Sequence, residues 1–394
     1  MKLFQRLLVA PAALGLLAPI TANANEVNLN AISNYSDVEA IEFANSFNDS
    51  SESSTLIAGG EGMVDDHDHD SDSFSSTTTA SFSADMAIGA TDGVVLADLT
   101  SQEAITATYG FQIDLNTSFT GEDSLDVSLD AGTSGAGTLG ELDLNSGGDT
   151  LQVDGVSYTF PLGDKTTVFV GDNMDGSTLY STACVYGGPT NTLDDCGNAY
   201  SALAAGFGTA AGASFDIGNG FTAAVGYETQ GSGKTGVLTK ESADAFGGQL
   251  TYTADSYGAS VTYANIESTT TAGVVVAGED VTYWGLNGYW TPSDSGSMPS
   301  VSVGYEMGDP EKADAKDTSH FFVGLQWDEV GPGTFGAALG TTGHIADGAT
   351  EYYMYEAFYS YPVNDGMTIT PVVFIKETSG TDTTGIMVKS SFSF

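Results

Sequence analysis

From Thr77 to Phe394 the chain alternates between apolar or aromatic side chains and small or polar ones. Tyr257, Ala259, Val261 and Tyr263 stand against Gly258, Ser260 and Thr262, and Val301, Val303 and Tyr305 against Ser302, Gly304 and Glu306. At the end of the chain Ile386, Val388, Ser390, Phe392 and Phe394 stand against Met387, Lys389, Ser391 and Ser393. A period of two is the signature of a strand with two unlike faces. The pattern predicts sixteen strands: 79–90, 103–116, 124–131, 152–161, 165–172, 210–217, 221–229, 243–254, 257–267, 281–291, 299–307, 318–327, 333–341, 350–360, 367–376 and 384–394.

The connections alternate too. Every second one is short and rich in turn formers, such as Leu162-Gly-Asp, Gly218-Asn-Gly, Asp255-Ser and the link centred on Gly331-Pro332. The others are mostly longer, and 173–209 is the longest. A β-sandwich has no reason to alternate in this way. A transmembrane antiparallel up-and-down β-barrel does, with short periplasmic turns and long outer loops. An even strand number leaves both termini in the periplasm.

The faces fit lipid outside and water inside. Gly, Ser, Thr, Gln, Asp and Glu on the polar face could not fill a dry core, whereas a closed barrel satisfies its backbone in lipid. Tyr and Trp gather near strand ends, at Tyr227, Tyr252, Tyr263, Trp284, Tyr289, Trp290, Tyr305, Trp327, Tyr353, Tyr359 and Tyr361, as interfacial girdles require. Part of that enrichment is the ordinary preference of aromatics for strands.

The first 76 residues differ. Residues 1–24 carry Lys2 and Arg6, an apolar stretch from Leu7 to Leu17, and Ala22-Asn23-Ala24, which reads as a secretory signal peptide cleaved after Ala24. Residues 25–76 read as an acidic, flexible periplasmic segment, and 77–394 as the barrel domain. The tract Asp65-Asp66-His67-Asp68-His69-Asp70 offers imidazole and carboxylate donors, so His67 and His69 are weak candidate metal ligands; a solvated linker is the preferred reading.

Composition narrows the function. Past the leader, 7 Lys and no Arg face 52 acidic residues, which excludes nucleic acid as a partner. Beyond the leader no apolar run approaches the ~20 residues of a spanning helix. Cys184 and Cys196 bracket a polar, turn-rich loop; in an oxidising compartment they read as one disulfide, ahead of two free thiols or a metal pair. His320 and His344 are the only histidines of the barrel region, at a strand start and in an outer loop, and no nucleophile–base spacing accompanies them. The chain therefore reads as a non-enzyme, and no cofactor is implied.

Strand parity places Asp114, Asp126, Asp130, Asp216, Glu228, Glu306 and Glu356 on the polar face, together with Lys376 and Lys389. Acids outnumber bases there, and carboxylates around a pore favour cations. The expected function is passive diffusion of small hydrophilic solutes and ions across the cell outer membrane, with a cation preference.

The chain resembles the outer-membrane porins of marine cyanobacteria, within the carbohydrate-selective porin family. The matching stretches are MKLFQRLLVAPAALGLLAP at the start, FQIDLNTSFTGEDSLDVSL at 111–129 and YPVNDGMTITPVVFIKE at 361–377, and the terminal Phe394 resembles the signal read by barrel-assembly machinery. The resemblance implies a homotrimer in outer-membrane lipid and passage of carbohydrate or inorganic nutrients. Such porins carry an S-layer-homology domain and a coiled coil ahead of the barrel; here only 25–76 stands in that place. By analogy with general porins, 173–209 is expected to fold into the lumen, with Asp175, Asp194 and Asp195 near the narrow point. The competing reading is a secreted, acidic, β-rich surface or adhesin-like protein without channel activity; the alternating loops and Phe394 count against it.

Overall fold

The structure, a computed structural model, describes residues 77–93, 104–133, 139–142, 144–145, 148–203, 208–229, 237–239, 242–267, 279–293 and 297–394. The leader 1–24, the segment 25–76 and the His67/His69 tract lie outside the described residues.

The described chain is all β. The strands are β1 (Thr78–Asp92), β2 (Thr106–Thr117), β3 (Ser124–Gly132), β4 (Gln152–Pro161), β5 (Thr166–Met174), β6 (Gly208–Gly218), β7 (Phe221–Thr229), β8 (Asp244–Thr253) and β9 (Tyr257–Ile266). They continue as β10 (Val281–Trp290), β11 (Ser300–Pro310), β12 (Thr318–Val330), β13 (Gly333–Thr341), β14 (Ile345–Ala346), β15 (Tyr353–Asn364), β16 (Met367–Lys376) and β17 (Thr383–Ser393). β14 is a two-residue piece within a loop, paired with the start of β12. The other sixteen form the wall, each pairing antiparallel with its sequence neighbours, and β17 closes the ring onto β1. The seam is drawn tight by reciprocal backbone hydrogen bonds between Phe82 and Phe394, at 2.9 and 3.0 Å, with their rings stacked at 5.8 Å. Each of the sixteen strands predicted from the alternation has its counterpart in this wall.

Closure gives each wall strand a partner on both sides, so the sheet has no open edge. The wall strands run from nine to fifteen residues, long enough for a tilted bilayer crossing. The short turns collect at one end. One of the two-residue links, Asn219-Gly220 with Gly218 ahead of it, holds three successive positive φ angles of 93°, 55° and 84° from Gly218 on. A Cβ at Gly220 would lie 2.4 Å from the Thr253 carbonyl, so this turn needs glycine twice over.

The outward face is apolar. Met86, Val170, Val225, Leu250, Leu286, Val303, Val373 and Ile386 all stand exposed on it. A soluble protein would not leave such a belt uncovered. Aromatic rings bound the belt at both ends. Toward the short turns lie the ring pairs Phe221–Tyr252 and Trp327–Phe335, and toward the long loops Tyr263–Trp284 and Phe321–Tyr353. Tyr289 departs from the expected girdle. It faces inward, with its ring against Gly258, where a Cβ would meet it at 2.4 Å.

Candidate functional site: a lumen narrowed by two loops

The inward face carries a site assembled mainly by the connection between β5 and β6. Its described part, 175–203, does not stand outside the barrel but threads through it. Backbone N–H groups of the loop donate in turn to inward side chains around the wall. Gly176 donates to Glu228 on β7 (2.7 Å), Ser181 to Gln249 on β8 (2.7 Å), and Ala183 to Ser260 on β9 (3.0 Å). Val185 and Tyr186 share Ser302 on β11 (3.0 and 3.2 Å), and Gly187 donates to Gln326 on β12 (3.1 Å). In return Asn287 on β10 donates to the Cys196 carbonyl at 2.9 Å. The polar face is therefore a ladder of acceptors matched to an irregular chain that has no partner strand. This is how a loop satisfies its backbone inside a barrel.

Glycine sets how close the loop can come. A Cβ at Gly226 would lie 2.1 Å from the Gly176 carbonyl, and one at Gly304 only 1.7 Å from the Cys196 carbonyl. Both glycines sit at inward positions of their strands, so the loop rests on bare backbone.

Cys184 and Cys196 form a disulfide across this loop. The segment it closes makes the apolar half of the site. Tyr186, Leu193 and Cys196 pack with Leu139, Leu142 and Leu144 of the β3–β4 loop against inward residues of β12 to β17 and β1: Phe322, Ala338, Met354, Phe358, Val372, Phe374, Met387 and Ala87. The two loops are bridged by the Asn191 N–H to the Glu141 carbonyl (2.8 Å) and by Lys376, whose Nζ lies 2.5 Å from Glu141 Oε1 and 2.8 Å from Thr192 Oγ1. The interior is thus not polar all round. On β12 to β17 its apolar side chains are buried by the returning loops, which removes the cost of wetting them.

Three expected lining carboxylates take part in holding the loop. Glu228 and Glu306 are fully covered and Glu356 is 4% exposed. Glu356 accepts from the Tyr186 hydroxyl at 2.5 Å and from Thr190 Oγ1, and Glu306 accepts from the Ser201 N–H. Burial, with Glu356 beside it, pushes the Tyr186 phenol well above its ordinary pKa, so it stays a donor. Lys376 likewise serves the loop contact through Glu141.

The remaining acids lie elsewhere. Asp114 and Asp126 are half-buried on the inner face of β2 and β3. Gln112 Nε2 and Ser128 Oγ donate to Asp114 at 2.8 and 2.7 Å, and Asn116 Nδ2 donates to Asp126 at 2.6 Å. Asp130 is covered on the same face. Asp85 on β1, absent from the sequence-based set, completes the row and accepts from Ser391. Lys389 on β17 stands beside it at an inward position, opposite Ala87. Asp216 is exposed at the short-turn end, where its carboxylate accepts the Gly218 N–H at 2.8 Å. Within the loop, Asp175 and Asp194 are half-buried and Asp195 is exposed. The lumen therefore has two sides. From β7 round to β17 loops occupy it; on β1 to β3 a hydrogen-bonded acidic row stands beside the β3–β4 loop, whose Asn145 rests on Gly110 and Gly132 and donates to the Phe111 carbonyl and to Gln112 Oε1.

The fold is similar to that of three solved chains. OprB of Pseudomonas putida, in a high-pH structure, aligns with a TM-score of 0.57 at 11% identity, over 81% of this chain and 94% of its own. OmpT of Vibrio cholerae with a loop deleted, described as an outer membrane protein, aligns at 0.55 and 11%, over 81% and 99%. A substituted Rhodobacter blastica porin aligns at 0.53 and 14%, over 80% and 100%. No family model and no curated protein matches the chain.

Proposed function

We propose that this chain is an outer-membrane porin, passing small hydrophilic solutes and ions by passive diffusion through a lumen narrowed by the β5–β6 loop. The observation that carries the reading is the inverted barrel itself: an apolar, ring-bounded outer face around an interior that binds a folded loop by its backbone. The likeness to a porin and to an outer membrane protein supports it. Export through the periplasm, by way of the leader 1–24, goes with this location.

The finer reading is a cation preference. Asp85, Asp114 and Asp126 outnumber Lys389 on the β1–β3 side of the lumen, and fixed carboxylates there raise the local cation concentration. Passage of carbohydrate and a trimeric state in lipid follow from the family resemblance and belong to the same proposal.

Permeation through liposomes tests this. Vesicles holding the folded protein should swell in small neutral sugars at rates that fall with sugar size. Recovery of the protein from cells by a salt or chelator wash, without detergent, would instead speak for a secreted surface protein.

A further inference from the structure

At the long-loop end of the wall, two strands and two loops bring together a second set of groups. Glu306 on β11 and His320 on β12 are register partners, and both point inward. His344, in the connection between β13 and β15, comes down onto them, its Nε2 2.7 Å from Glu306 Oε2. One donor atom from each of the three residues lies within 4.8 Å of the other two. Thr318 Oγ1 sits 2.8 Å from His344 Nδ1, the outer contact that fixes an imidazole for ligation through its other nitrogen. Tyr200 and Tyr283 stack on each other at 5.0 Å and present the His344 ring with edge contacts at 5.2 and 5.3 Å. Glu306 is fully covered, and its other oxygen accepts the Ser201 N–H of the constricting loop.

The network leaves one ring nitrogen without a partner. His320 is only 8% exposed, yet its Nε2 is buried with no hydrogen-bond partner. A covered ring nitrogen with no partner carries a desolvation cost that nothing here offsets. It lies in a cluster that already offers a second imidazole and a carboxylate, with the rings of His320 and His344 5.9 Å apart.

We propose that Glu306, His320 and His344 form a binding site for a borderline divalent transition-metal ion of the Zn²⁺ class, and that the bound ion tightens the constricting loop against the wall. Two imidazoles and one carboxylate suit such an ion; Ca²⁺ and Mg²⁺ ask for oxygen alone, and soft Cu(I) asks for sulfur. Metal–ligand distances of about 2.0–2.2 Å put tetrahedral ligand atoms about 3.4 Å apart, so a set spanning 4.8 Å closes by small side-chain rotations. Three protein ligands leave a fourth position for water. The ion would draw His344 and its loop toward β11 and β12, and would hold the carboxylate on which the Ser201 N–H rests.

The test is titration of the full chain, folded in detergent, with Zn²⁺ alone, followed by calorimetry and by competition with a chelator. The acidic tract with His67 and His69 is a rival binder, so His320→Ala and the double variant His67→Ala/His69→Ala are titrated beside the parent. Heat-modifiable gel mobility confirms the barrel in each. The expected result is a saturable equivalent whose affinity falls by about a hundredfold or more in His320→Ala, given that even outer-shell changes cost 10–100-fold, and which persists in the His67/His69 variant. If His320→Ala does not fold, His344→Ala, in a loop, takes its place with the same expectation. No saturable binding, binding unchanged in the folded variant, or binding lost with His67 and His69 would each overturn the proposal.

Discussion

Replacing Gly304 by Ala puts the contact between loop and wall to a quantitative trial. The added Cβ would stand 1.7 Å from the Cys196 carbonyl oxygen, whereas ordinary contact begins at 3.4 Å, so the loop must retreat by about 1.7 Å at that point. The retreat breaks the bond from Asn287 to the same carbonyl and loosens the Ser201 N–H on Glu306. One neutral and one charge-assisted hydrogen bond together contribute about 3 kcal/mol, enough to shift the seated loop's population more than about a hundredfold. The wall's backbone is untouched, because the displaced groups are loop backbone and the end of the Asn287 side chain, 2.9 Å from the new Cβ. Gly288→Ala is the matched control. Its Cβ points outward from the adjacent strand and meets nothing nearer than 3.5 Å. Single-channel conductance should therefore rise or flicker in Gly304→Ala and stay at the parental value in Gly288→Ala, with both barrels intact by gel mobility. Parental, quiet conductance from a folded Gly304→Ala would show that the loop does not set the aperture.

Three further outcomes follow from the same contacts. Opening the Cys184–Cys196 link with reductant, or in Cys184→Ser, removes a constraint worth about 3 kcal/mol for a loop of this size, so current noise should grow while the barrel persists. Converting Asp114 and Asp126 together to Asn should move the reversal potential in a salt gradient toward zero, whereas Glu228→Gln, at a covered site, should leave selectivity alone; equal shifts in both would contradict the two-sided lumen. The β2–β3 turn is organised by Asp123, whose carboxyl is held well below its ordinary range by the Tyr158 hydroxyl first, then by the Thr120 N–H and neighbouring hydroxyls. Its stabilising contribution is fully present above the ordinary carboxylate pKa and fades only as pH falls below that value, toward the depressed one. Hydrogen exchange in 118–123 should therefore stay slow down to strongly acid pH in the parent and quicken at neutral pH in Asp123→Ala.

The wall was legible because its code is local. Alternation at Tyr257 to Tyr263 or Val301 to Tyr305 places each side chain on a face without knowledge of its neighbours, and closure follows from strand number and turn length. Parity with Glu356 and Lys376 already sets Phe358 and Phe374 on the inward face, but alternation could not say what covers them and Phe322 there, because they are buried by loops that return from far along the chain. The signal for that was present in Leu139, Leu142 and Leu144, apolar residues spaced through an otherwise small and polar loop. Covered Glu228 and Glu356 were legible as inward but not as anchors, since their donors are loop residues distant in sequence. Glu306 and His320 could be paired by counting back from their hairpin, but His344 joins them only through a loop whose path no periodicity encodes.

The claim that an open, acid-sided lumen crosses the membrane is tested most directly by recording the folded protein in a planar lipid film under a salt gradient. Discrete conductance steps and a reversal potential directed by the cation are the expected result. A reversal potential directed by the anion, or silence from protein shown to be folded and inserted, would contradict it.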